Sequence, residues 1–132
     1  MRKAAEWFAR LALSAAFFSA VADRFGLWGA PGDPGVVWGD WAAFQAYTGL
    51  LNSYLPPSLI PAVAWIATIA EVVLAVALLV GRRLPWAAPA AGALLVTFAL
   101  AMAVSVGPKA PLDYSVLSAA AAAFLLAQPS DV

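Results

Sequence analysis

Glu71 is the residue in this 132-residue chain whose type and setting most suggest chemistry. It is the one charge in the apolar run from Ile60 to Val80. A charged side chain near the centre of a membrane helix costs about 2.5–3.5 kcal/mol by insertion measures, so the carboxyl must be protonated, paired or wet. Two readings follow. Glu71 could accept a proton or anchor a ligand, or it could lock helix register through an ion pair. Arg10 and Arg24 lie near opposite ends of the first apolar run, and either could reach part of the way towards it.

A second set of polar residues clusters at the ends of apolar runs. Asp23 and Arg24 close the first run, and Lys109, Asp113, Tyr114, Ser115 and Ser118 open the last. If these ends meet, Arg24, Asp113 and Tyr114 could shape a polar pocket above Glu71, with Thr68 one turn away on the same helix. The plainer reading is that such charges snorkel and pin helix ends, which suits Lys109 and Asp23 best. Asp113 could also serve as a helix cap.

Composition limits the chemistry further. The chain has no cysteine and no histidine, so disulfides, thiolate metal sites and iron–sulfur clusters have no ligands here, and no metal site is expected. Electron transfer would need a bound organic cofactor or a partner subunit. Net charge is zero, which offers no basic face for nucleic acid.

The elements that must position these residues are membrane helices. The chain is 64% hydrophobic and 11% charged, against about 25% charged in an average soluble domain. Apolar runs at about 7–26, 60–80, 85–106 and 110–127 predict four spans in one all-α domain, an integral membrane four-helix bundle. A span needs about 20 residues, and 17 at the low end. The first run has a rival reading as a signal peptide, with Met1-Arg2-Lys3 before an apolar stretch and Ala20-Val21-Ala22 as a small-residue cleavage site. Glu6 and Arg10 interrupt that pattern, and the apolar character continues past Ala22.

Arg2, Lys3, Arg10, Arg82 and Arg83 fall on one side of the membrane, Arg24 and Lys109 on the other. This asymmetry predicts that both termini are cytoplasmic. On the wheel of the second span, Ala64, Ala67, Thr68, Leu74, Ala75 and Leu78 share the side of Glu71, and Ile66, Ile69, Val73, Val76 and Val80 oppose it. The small-residue side should face the bundle. Pro89 reads as a tolerated first-turn proline, and hydroxyls such as Thr97 and Ser105 usually bond their own backbone.

Between the first two spans, segment 27–59 begins with turn residues and continues with Asp40 as a cap for a short helix from Trp41 to about Asn52. Trp41, Phe44, Thr48 and Leu51 share one face of it. This helix could lie in the interface plane as an aromatic lid, or the segment could be an ordered aromatic loop.

Several stretches resemble the DoxX family of small four-helix membrane proteins. They are the run from Arg10 through Ala20-Val21-Ala22-Asp23-Arg24-Phe25-Gly26-Leu27-Trp28-Gly29, then Ala67-Thr68-Ile69-Ala70-Glu71 with Leu74, Leu78, Leu79 and Gly81, and Gly107-Pro108-Lys109-Ala110-Pro111-Leu112-Asp113-Tyr114-Ser115. The resemblance implies a multi-pass protein of a bacterial plasma membrane. It also implies an accessory subunit of an oxidoreductase system that binds a quinone or another amphipathic ligand between its helices. In that setting Glu71 would take a proton from the ligand, beneath a lid carrying Trp41. The alternatives are a proton-coupled carrier of small solutes, which would need a homo-oligomer, and a purely structural anchor for a partner enzyme.

Overall fold

The computed structural model describes residues 1–81 and 84–129. Arg82 and Arg83, two of the charges that orient the chain, lie outside the described residues. Six α-helices follow one another among the described residues: α1 Arg2–Arg24, α2 Trp41–Leu51, α3 Ile60–Val80, α4 Leu84–Val106, α5 Lys109–Asp113 and α6 Val116–Leu126. There is no strand among the described residues. Among the described residues three stretches, Arg2–Arg24, Pro57–Val80 and Pro85–Val106, are long and apolar enough to cross a bilayer. The protein is an all-helical membrane protein.

The breaks between helices have local causes. At the end of α1 the Gly26 N–H donates to the Asp23 carbonyl and the Leu27 N–H to the Ala22 carbonyl. These two bonds make a Schellman motif, which needs the positive φ that Gly26 supplies (+77°). Asp40 caps α2, its carboxylate accepting from the Ala43 N–H at 2.8 Å. A 3₁₀ turn, Pro57–Leu59, leads into α3, which has a proline in its first turn and ends on the left-handed Gly81.

The helices pack as two close pairs, α1 with α3 and α4 with α6, joined by contacts of α3 with α4 and α1 with α6. The core between them holds Leu13, Phe17, Leu74 and Leu78 among many alanines, including Ala75, Ala87, Ala88, Ala91 and Ala123. In lipid there is no hydrophobic gain from joining helices, so close approach over small side chains supplies the cohesion. On α3 the buried residues are Ile60, Ala64, Thr68, Glu71, Leu74, Ala75 and Leu78. Ile66, Ile69, Val73, Val76 and Val80 are exposed, as lipid-facing residues should be.

Two local expectations are corrected. The last apolar run is not one continuous helix. Helix α5 ends at Asp113, Ser115 takes a left-handed conformation (φ 56°), and α6 begins at Val116. The polar stretch Asp113-Tyr114-Ser115 falls at that break. Pro89 lies inside α4, past its first turn. There it removes one helical hydrogen bond, which membrane helices tolerate when neighbours pack over the gap.

Candidate functional site

The α1 residues that point at α3 recur at helical spacing: Arg10, Ser14, Phe17 and Arg24 are all buried. Three of them are polar, and each makes a specific tie to α3. Arg10 donates from Nε to the Leu78 carbonyl (2.7 Å) and from Nη2 to the Leu79 carbonyl (2.8 Å), while its guanidinium stacks 3.8 Å from the Trp7 ring centroid. It thereby satisfies last-turn carbonyls of α3 and sits at the negative end of that helix dipole. Gly81 leaves room for it, because a Cβ there would strike the guanidinium. Ser14 Oγ donates to the Ala75 carbonyl at 2.9 Å.

The third tie involves Glu71. Arg24 Nη1 forms an ion pair with Glu71 Oε2 and donates to Thr68 Oγ1 at 2.8 Å. The Thr68 hydroxyl in turn donates to the Ala64 carbonyl at 2.9 Å. Arg24 is 2% exposed and Glu71 3%. Of the two arginines that could have reached Glu71, Arg24 does so, and Arg10 is committed to the far end of α3.

Above this pair lies the segment 27–52. The Arg24 guanidinium sits 3.8 Å from the Phe44 ring centroid and 5.2 Å from that of Trp38. Cation–π contacts of this kind are worth about 2 kcal/mol or more when desolvated. Phe44 and Thr48 are the buried residues of α2, which lies over the helix ends as a lid. Trp41 stacks on Phe25 (5.4 Å, 16°) and packs 4.3 Å from Trp65. It belongs to an aromatic layer beside the pair, not to the pair itself.

Asp23 fastens the lid. Its carboxylate accepts three successive backbone N–H groups, from Val37 at 2.9 Å, Trp38 at 2.7 Å and Gly39 at 2.9 Å. It is buried, not snorkelling, because the loop folds back over the end of α1 and encloses it. Gly39 takes φ +84° and lies so close to Ala30 and Pro31 that no Cβ fits. Ser105 also holds the lid, donating to the Leu51 carbonyl at 3.2 Å, whereas Thr97 bonds its own helix. Burial first, and then nearby Tyr114, push the Tyr47 hydroxyl above the usual tyrosine range, so it stays neutral.

Asp113 and Tyr114 are not brought to this group. Asp113 pairs with exposed Lys109 at 2.6 Å, and Tyr114 is 65% exposed. The break at Ser115 separates α5 from α6 and leaves these side chains at the surface. Asp33 accepts from the Ala30 N–H and forms a turn. No group of acids that could hold a metal occurs among the described residues.

Trp38, Phe44, Asp23 and Ser14 are the members that inspection of the sequence did not assign to the site. The spacing of Arg10, Ser14, Phe17 and Arg24 was a usable signal for one face of α1. No comparable signal marks the contact of Asp23 with residues fourteen to sixteen positions later.

A comparison with protein families decides the relationship. The model of methylamine utilisation protein MauE matches residues 2–113. The chain belongs to the MauE family. The resemblance to the DoxX family is thereby corrected, since the matched region contains nearly every residue that suggested it. Those motifs are short and apolar. Small-residue faces and a buried acid are demanded by helix packing in lipid generally, so they do not separate one family of small membrane bundles from another. No curated protein and no solved structure matches the chain.

Proposed function

We propose that this chain is an accessory membrane protein of a methylamine-utilisation system, working as a rigid holder for a partner enzyme. The observation that carries this reading is the Arg24–Glu71–Thr68 group. It is fully buried, mutually paired, and ties α1, α3 and the lid into one body. In this reading Glu71 is a register lock. The chain itself supplies no thiol or imidazole, so electrons and group transfer belong to the partner.

The fourth crossing is formed by α5 and α6 together, which completes a four-helix bundle with a break at Ser115. Packing of α6 against both α4 and α1 supports it. The excess of Arg and Lys at the N-terminus and between α3 and α4 supports a plasma-membrane orientation with both termini cytoplasmic.

The test uses a host with a methylamine-utilisation system from which its own MauE has been removed. The chain should restore growth on methylamine, and a tagged copy purified in mild detergent should bring a protein of that system with it. Failure of both overturns the proposal. Replacing the whole pair, Arg24→Met with Glu71→Leu, tests the role of Glu71. A lock exchanged for well-packed apolar residues still supports growth if the protein accumulates, and a proton-accepting Glu71 does not.

A further inference from the structure

Two hydrogen-bond donors are buried beneath the lid with no acceptor among the described residues: Arg24 Nε and Trp38 Nε1. On the same guanidinium, Nη1 is engaged by Thr68 and Glu71 and the face lies against Phe44. The Nε–H leaves the guanidinium on a different side from Nη1. Trp38 is held by its own backbone N–H on Asp23. Its ring centroid lies 5.2 Å from the guanidinium carbon, so both unmatched donors belong to one small region walled by Phe44.

Buried donors are nearly always matched, and each one left bare is costly in free energy. Two bare donors in one region, beside a Glu71 Oε2 engaged by the ion pair alone, mark a place for an acceptor. The acceptor is neutral, because Glu71 already balances the charge of Arg24 and an anion would have to displace it. Both nitrogens are closed off from solvent in this conformation. An occupant that comes from the bilayer therefore enters only when the lid lifts.

We propose that Arg24 Nε and Trp38 Nε1 form a two-donor site under the lid for a neutral oxygen acceptor, supplied by a water or by the carbonyl of an amphipathic molecule entering from the bilayer. The site needs Arg24 held in place and so rests on the lock described above. Its test leaves the lock intact, so the two can fail separately.

The experiment is a ¹⁵N-indole spectrum of the full chain in nanodiscs. Its six tryptophans give six indole signals. Trp38→Phe assigns the one of interest, and the same change at each of the other five assigns it by elimination if that variant does not fold. The expected result is a Trp38 indole proton shifted downfield and slow to exchange. A cross-peak to water identifies water as the occupant. Loss of the downfield shift after exhaustive delipidation, with no water cross-peak, identifies a carbonyl from the bilayer. A Trp38 indole proton without a downfield shift overturns the proposal. So does a downfield shift with no water cross-peak that survives delipidation, because the acceptor would then be the protein itself.

Discussion

Removing Glu71 should be far more damaging than removing Glu71 and Arg24 together. Glu71→Leu leaves the Arg24 guanidinium buried, with Thr68 Oγ1 its one remaining acceptor among the described residues. Breaking a buried pair from one side costs about 3–5 kcal/mol. Arg24→Met leaves the carboxylate in the same position, with a similar cost. The double variant has no stranded charge. It loses the Thr68 hydrogen bond, about 0.6 kcal/mol between membrane helices, and the desolvated Phe44 and Trp38 contacts of the guanidinium, about 2 kcal/mol. Met and Leu recover part of that through packing. The coupling energy between the two sites should therefore reach about 3 kcal/mol or more. Reversible unfolding in mixed micelles with increasing dodecyl sulfate, followed by tryptophan fluorescence, measures all four corners of the cycle. Costs that add to within about 0.5 kcal/mol would show that the two groups do not interact, and would refute the lock.

Other expectations follow from single contacts. Asp23→Ala removes three charge-assisted bonds to the lid. In a Thr48→Cys background, otherwise free of cysteine, it should raise labelling by a membrane-impermeant maleimide at least about tenfold, the effect of about 1.4 kcal/mol on lid opening; unchanged labelling would show that Asp23 is not the latch. Ser14→Ala should cost about 0.6 kcal/mol in the same unfolding assay, the average for an interhelical hydrogen bond in a membrane. Gly92→Ala places a Cβ 2.8 Å from the Phe124 ring. Because that ring is 40% exposed and can turn outward, the cost should be about 1 kcal/mol, the low end for overpacking, and should vanish in a Phe124→Ala background.

Much of this protein can be read from residue order alone. Apolar runs long enough to cross a bilayer mark the three long helices, because in lipid every backbone group must be satisfied within its own segment. The buried side of α3 follows from the 3.6-residue period, since its small residues and Glu71 fall on one face and its branched residues on the other. Asp40 as a cap of α2 is a local consequence of residue type, and so is the burial of Glu71 on the small-residue face, which left its carboxyl protonated, paired or wet.

The tertiary structure alone decided which arginine that partner is. Arg10 and Arg24 differ by fourteen residues on one helix face, and only the vertical register of α1 against α3 sets Arg24 beside Glu71 and Arg10 at the end of α3. The register comes from many small packing contacts, none of which is visible singly in the sequence. The lid is a similar case. Asp23 looks like an interfacial charge until the loop folds back and presents three N–H groups to it. Asp113 looks like a pocket residue until the chain breaks at Ser115 and leaves it paired with Lys109 at the surface. Residue types determined that this chain would cross a membrane with an acid buried in it. Long-range backbone geometry, which no local pattern encodes, decided what that acid touches and what covers it.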